Sequence, residues 1–392
     1  MGKQKKRIGV LTGGGDCPGL NAVIRAVAKT ANNECGMEVV GFFDGYEGLV
    51  QNRYDNLDDE DVSGILTRGG TILGTSNRAD PFRYPVLQGE EYVYLDRSSQ
   101  CVRNFDALGL SALIAIGGDG TMAASAGLMD LGIPIVGVPK TIDNDLEGTE
   151  VTFGFDTALQ TATDAIDRIH TTAQSHHRVM IIEVMGRYAG WLALGSGLAG
   201  GGDIILIPEF PYDIAAVCDH IRLRNSRGKK FSIVVVGEGA KPVGGSMTVS
   251  RTVENSPDAI RLGGVSNRIA SQIEGLIEVE SRVTILGHLL RGGSPTARDR
   301  MLATGFGVEA VRMVDRGEVG RMVALRDGKM SSVAISEVAG KTRIVTPDHD
   351  WVRAARSIGL SLGVPDGVDL NEYVASYGGK NTKKEHRTTG AG

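Results

Sequence analysis

The sequence predicts an α/β protein built from two Rossmann-like α/β domains with mainly parallel sheets. Three observations predict it: short apolar runs of strand length, glycine-rich or polar turns at the ends of those runs, and helix-period segments after the turns. Arg7 to Thr12 is the first strand. It runs into Gly13-Gly14-Gly15-Asp16-Cys17-Pro18-Gly19, beyond which Leu20, Val23, Ile24 and Val27 recur at the spacing of one helix face. Met37 to Phe43, Ser111 to Ile116 and Ile133 to Val138 supply further strands, the last two each ending at a conspicuous loop. Arg178 to Val184, Phe231 to Gly237 and Arg282 to Gly287 repeat the pattern and predict the second domain. From Ser376 onward Gly, Lys, Asn, Thr and Arg follow without period, as expected of a mobile tail over 376–392.

Composition narrows the function classes. A chain of 392 residues with 41% hydrophobic residues can bury substantial cores in two domains. Its 42 Lys+Arg against 47 Asp+Glu give a net charge of -5, with no long basic block to track a phosphate backbone, so no nucleic-acid partner is expected. The start, Lys3-Gln4-Lys5-Lys6-Arg7, is basic like a signal n-region, but the apolar run after it stops at Gly13. No secretory or membrane segment is expected. Cys17, Cys35, Cys101 and Cys218 lie far apart without a Cys-x-x-Cys pair, which reads as reduced thiols in a cytoplasm rather than a zinc site or disulfides.

Glycine makes up 55 of the 392 residues, about twice the usual ~7% share. The glycines cluster at predicted strand ends, where open parallel sheets bind ligands. Gly13-Gly14-Gly15 fits a phosphate cradle, because backbone without Cβ lets N–H groups approach an anion at the start of the next helix. A tight strand-to-helix turn is the alternative, and the loop matches neither a Walker A motif nor a strict Gly-x-Gly-x-x-Gly. In Gly117-Gly118-Asp119-Gly120-Thr121, a carboxylate between glycines can hold Mg²⁺ while bare backbone admits a polyphosphate. A glycine turn with a helix-capping Asp or Thr is the alternative, and the motif alone names no substrate, since kinases of NAD and of diacylglycerol also carry it. Pro139-Lys140-Thr141-Ile142-Asp143-Asn144-Asp145 sets two carboxylates two residues apart, on one side of an extended loop. One can act as base toward a hydroxyl while the other sits near the metal; a solvated acidic turn is the bland reading.

With these loops, the sequence also carries Gly69-Gly70-Thr71-Ile72-Leu73-Gly74, Ser175-His176-His177-Arg178, Met185-Gly186-Arg187-Tyr188, Glu238-Gly239 and Gly287-His288-Leu289-Leu290-Arg291-Gly292-Gly293-Ser294-Pro295. In that order, over residues 7 to 345, it resembles the phosphofructokinase family. The resemblance implies an active site in the cleft between the domains, with the chain crossing more than once. Residues 1–154 plus about 290–340 would bind ATP and Mg²⁺, and about 155–289 plus 341–375 would bind fructose 6-phosphate. Gly15, Gly118, Asp119, Gly120 and Thr121 would line the donor site, with Asp119 at the metal. Asp143 would be the base for the sugar 1-hydroxyl, Thr141 would hold the sugar or the transferred phosphoryl, Arg187 would neutralise charge on that group, and Asp145 would support metal and loop geometry. Glu238 and the Met185-Gly186 backbone would hold sugar hydroxyls, and His288 and Arg291 the 6-phosphate. Arg178 and Arg282 match arginines that reach in from a neighbouring subunit, which implies a homo-oligomer, a tetramer in the first instance.

Two departures from the short bacterial ATP enzymes bear on the donor and on regulation. The run Thr75-Ser76-Asn77 places Arg78, the match to the donor-binding arginine, one residue later, as in the mixed-donor branch. Gly120 leaves room for the α-phosphate of a nucleotide where pyrophosphate-using relatives carry Asp, whereas Lys140 matches those relatives. ATP is the expected donor and pyrophosphate the alternative. Arg25, Lys29 and Lys229 match part of the family's basic effector site, but Asp55 to Asp61 is acidic where an arginine is wanted, so regulation by ADP or phosphoenolpyruvate does not follow from the sequence. A non-catalytic regulatory subunit would be expected to have lost Asp143 or Arg187, and both are present.

Overall fold

The structure, a computed structural model, describes residues 5–89, 91–252 and 260–377. Lys3 and Gln4 of the basic start and residues 378–392 of the expected tail lie outside the described residues. The strands, in chain order, are β1 (Arg7–Thr12), β2 (Glu38–Phe42), β3 (Tyr54–Leu57), β4 (Tyr84–Gln88), β5 (Glu91–Leu95), β6 (Leu110–Gly117), β7 (Ile135–Pro139), β8 (Val179–Val184), β9 (Ile204–Leu206), β10 (Ser232–Gly237), β11 (Val249–Thr252), β12 (Ile260–Leu262), β13 (Ser281–Ile285), β14 (Arg321–Arg326) and β15 (Lys329–Ala334). The chain divides into two compact units: one runs to Ala158 and resumes over Arg291–Arg343, and the other comprises Leu159–Thr252, Ile260–Leu290 and the chain from Ile344.

The first unit is organised on a seven-stranded sheet in the order β15-β14-β7-β6-β1-β2-β3. Its interior pairings are parallel, and only the edge strands β15 and β3 run antiparallel to their neighbours. Ile8, Val10 and Leu11 of β1 and Leu113 to Ile116 of β6 are fully buried, the near-continuous apolar run that a parallel sheet covered on both faces requires. Helix Leu20–Asn33 buries the face carrying Leu20, Val23, Ile24 and Val27. The hairpin β14–β15 adds an antiparallel edge to a sheet the sequence pattern presents as parallel. Arg326 faces Lys329 across a two-residue loop in which Asp327 and Gly328 have φ of +51° and +68°, the geometry that Asp-Gly favours in tight hairpins.

The second unit holds a fully parallel four-stranded sheet, β13-β8-β10-β9. Every residue of β8 and β10 is buried, and Val179, Ile181, Val234, Val236 and Ile269 pack in its core. The buried carboxylate of the sheet's β8 is Glu183, which accepts the N–H groups of Gly264 and Ser266 at 3.1 and 3.0 Å. It sits at the start of helix Val265–Leu276, where unpaired N–H groups and the helix dipole stabilise an anion. Ser376 and Tyr377, expected in the mobile tail, instead close the helix Leu370–Tyr377. That helix is anchored where the Tyr373 hydroxyl donates to Pro211 O at 3.0 Å. Among the described residues no helix is long and apolar enough to cross a membrane.

Candidate active site

In the first unit, β1, β6 and β7 are adjacent and parallel, so the loops at their carboxyl ends converge. A β-carbon on Gly117 would lie 2.1 Å from Thr121 Oγ1 and one on Gly13 2.6 Å from the same atom. Only glycine lets the two loops close on Thr121, which is buried. Gly13 donates to Ile116 O at 2.8 Å and Lys140 N to Gly117 O at 3.0 Å, which ties all three loops together.

Lys140 is buried, and its ammonium donates to Gly15 O inside the first glycine loop. Burial pulls its pKa below the usual lysine value. A cation thus lies in the cradle that bare backbone leaves open to phosphate. Arg291 joins it: its Nη1 donates to Asp16 O at 3.1 Å, and a β-carbon on Gly15 would meet that guanidinium at 2.7 Å. The sequence places Arg291 with His288; the structure puts its guanidinium against the glycine cradle. Cys17 is fully buried there, its thiol pushed up to about 12 by burial, and it packs as a small unreactive residue.

Asp119 opens helix Asp119–Asp130, and its Oδ1 accepts the N–H of Gly340 at 2.6 Å. Gly120, beside it, is exposed, with nothing within 4 Å of where a β-carbon would stand. A half-exposed hard oxygen donor next to bare backbone suits Mg²⁺, which takes one or two carboxylates and completes its shell with water and substrate phosphates. Asp143 and Asp145 follow β7 on the next loop. The Asp143 N–H donates to Thr141 Oγ1 at 3.0 Å. Asn144 between them has φ +52° and is held by Thr152, whose N–H donates to Asn144 Oδ1 at 3.1 Å. Arg78 is exposed, two residues beyond Ser76, whose carbonyl accepts the Gly14 N–H at 3.3 Å.

In the second unit the parallel neighbours β8 and β10 bring Met185, Gly186, Arg187 and Glu238 together at their carboxyl ends. The Arg187 N–H donates to Glu238 Oε1 at 3.3 Å, and Glu238 N donates to Val184 O at 2.9 Å. Glu209, not foreseen from the sequence, holds the far side of the Arg187 turn: its Oε1 accepts the N–H groups of Gly190 and Val345, both at 2.9 Å. His288 is exposed in the short helix Gly287–Arg291 that follows β13.

Arg178 and Arg282 lie elsewhere. They flank the amino ends of β8 and β13, where Arg178 Nε meets Glu280 Oε2 at 2.6 Å and Arg282 pairs with the same carboxylate. Six strand residues separate Arg178 from Met185, a span of roughly 20 Å. Glu280 was not singled out in the sequence, although an acidic residue two before Arg282 is a readable sign. In the partial effector match, Lys29 is paired with Asp59 of the acidic stretch at 3.2 Å.

A glycine cradle holding the buried Lys140 and the half-buried Arg291, with carboxylates on the two adjacent loops of a parallel α/β sheet, defines a phosphotransferase. The chain belongs to the phosphofructokinase family: the family model described as Phosphofructokinase matches residues 7–314. A Clostridium perfringens protein named ATP-dependent 6-phosphofructokinase 2 is 51% identical over 91% of this chain and 98% of its own length. An ATP-dependent 6-phosphofructokinase of Chloroflexus aurantiacus is 50% identical over 93% of this chain and 99% of its own. The crystal structure of Pichia pastoris phosphofructokinase in the T-state superposes with a TM-score of 0.74 at 32% identity, covering 86% of this chain and 38% of that longer one.

Proposed function

We propose that the chain transfers the γ-phosphoryl group of ATP to the 1-hydroxyl of D-fructose 6-phosphate, giving fructose 1,6-bisphosphate and ADP in glycolysis. The observation that carries this reading is the bonded set of three loops, Gly13–Gly15, Gly117–Thr121 and Lys140–Asp145, which joins a phosphate cradle to a carboxylate loop. The relatives at about half identity over nine-tenths of the chain support ATP as donor.

In this reading Asp143 takes the proton from the sugar 1-hydroxyl as that oxygen attacks the γ-phosphorus. The bond from the γ-phosphorus to the bridging oxygen breaks, and ADP leaves. Arg187 offsets charge on the transferred group, and Thr141 presents its hydroxyl to that group. Gly15, Arg78, Gly118, Gly120 and Thr121 bind the donor, with Lys140 as a cation in the cradle. Asp119 would hold Mg²⁺ together with the donor phosphates, supplying neutralisation of their charge, and Asp145 would support that geometry. Met185, Gly186 and Glu238 hold the sugar hydroxyls, and His288 and Arg291 its 6-phosphate.

Arg178 and Arg282 serve a second copy of the chain. Their position at the opposite ends of the strands from Glu238 supports this, and their exposed pairing with Glu280 is the kind worth only about 0–1 kcal/mol, easily given up to a phosphate dianion. A cytoplasmic homo-oligomer, a tetramer in the first instance, follows from the reading. Sedimentation that shows only monomer in the presence of substrate would remove the shared site.

The test of the reaction is a coupled assay for fructose 1,6-bisphosphate with ATP or pyrophosphate at saturating Mg²⁺. ATP is expected to give the higher kcat/KM. A higher value with pyrophosphate would assign the donor role to that ligand, as the Lys140 ammonium in the cradle favours.

A further inference from the structure

The loop that carries Asp143 is gripped from outside by residues 340–343. Asn144 has φ +52°, in the left-handed region that asparagine enters more readily than other non-glycine residues. Thr152 holds its side chain from one side. From the other, Arg343 takes the two carbonyls that follow Asp143: its Nη1 donates to Asn144 O at 3.3 Å and its own N–H to Asp145 O at 2.8 Å. Thr342 pairs antiparallel with Leu146, which fixes the register of this grip. Three residues upstream of Arg343, Gly340 donates its N–H to Asp119 Oδ1. One four-residue segment therefore contacts both the base loop and the carboxylate placed at the metal.

We propose that Arg343 is a positioning residue for phosphoryl transfer, fixing Asp143 relative to Asp119 without touching substrate. The proposal rests on the reading of Asp143 as base. An arginine suits the task because its planar fork keeps donors in fixed directions, whereas a lysine ammonium is a point charge on a flexible stem. The guanidinium is half-buried, and burial pulls its pKa below the usual value. Beside it opens a pocket of about 280 Å³ lined also by Glu147, Thr149, Glu150 and Arg326, wide enough to admit a free guanidinium ion if the side chain is removed.

The experiment compares steady-state kinetics of Arg343→Ala, Arg343→Lys and Asp143→Asn in the full chain. A displacement of about 1 Å at a reacting group costs on the order of 100-fold in rate, so Arg343→Ala is expected to lower kcat by about 30-fold or more. KM for fructose 6-phosphate should stay within about threefold, because the residues proposed to hold the sugar hydroxyls and, apart from Arg291, the 6-phosphate lie in the other unit. Millimolar guanidinium chloride should restore part of the lost kcat where equal sodium chloride does not, a recovery that a generally destabilised protein would not show. A kcat for Arg343→Ala close to the parent's, or a loss that guanidinium leaves untouched, overturns the proposal. If Arg343→Ala is insoluble, Arg343→Lys carries the test: a reduced kcat at unchanged KM supports it and a parent-like kcat overturns it. An active Asp143→Asn would instead bring down the base assignment itself, so the two failures are distinguishable.

Discussion

A β-carbon on Gly239 would stand 1.7 Å from the carbonyl oxygen of Arg187, so the loop after β10 and the turn after β8 meet backbone to backbone. Arg187 itself has φ +45°, and its N–H reaches the neighbouring Glu238. The backbone of the Arg187 turn is thus held by what stands opposite it.

Gly239→Ala should therefore push the Arg187 turn away and lower kcat by roughly 10–100-fold. Steady-state kinetics beside a melting curve make the check. Parent-like kcat in a folded variant would show that the turn can shift without consequence.

For Asp143→Asn the expectation is a fall in kcat of about 10²–10⁴-fold from lost general-base help alone. KM for fructose 6-phosphate should change little, because the carboxamide keeps the shape of the side chain. A variant with more than about a tenth of the parent kcat would contradict the role.

Gly120→Asp isolates the donor. Nothing lies within 4 Å of the new β-carbon, so the fold should accept it with an unchanged melting temperature. A carboxylate there repels the α-phosphate of a nucleotide, and kcat/KM for ATP should drop by on the order of 100-fold while pyrophosphate use does not. Equal losses with both donors would refute the steric and electrostatic account of ATP choice.

Glu209 predicts a pH dependence of stability. Burial pushes its carboxyl from the ordinary 4.5 up to about 7, against the opposing pull of the backbone N–H groups of Val345 and Gly190 and the charge of Lys241. The folded chain then holds a proton that the unfolded chain has lost. This contribution is fully present below the unfolded value and disappears as pH rises through the folded one. Glu209→Gln keeps the acceptor for Gly190 and Val345 but does not ionise. Its stability relative to the parent should therefore rise between about pH 5 and 8, by on the order of 3 kcal/mol. Parallel melting profiles across that window would rule out a buried titrating carboxylate.

The alternation of strand, glycine turn and helix was legible in the sequence because periodicity and turn chemistry are local. The same locality placed Asp119 and Asp143 at strand ends: each motif follows its own strand within a few residues. The hairpin turn at Asp327-Gly328 was equally local, and its signal stood in the sequence. Tertiary structure alone decided that Lys140 reaches Gly15, that Arg291 lies on the cradle, and that Arg178 and Arg282 share Glu280 at the far ends of their strands. It also decided that Gly340 and Arg343 hold both carboxylate loops. These contacts join residues up to 275 positions apart; those of the cradle exist because β7, β6 and β1 lie side by side, and the Arg178–Glu280 pair because β8 and β13 do. Strand order is set by how apolar faces pack across the whole chain, which no single stretch of residues encodes.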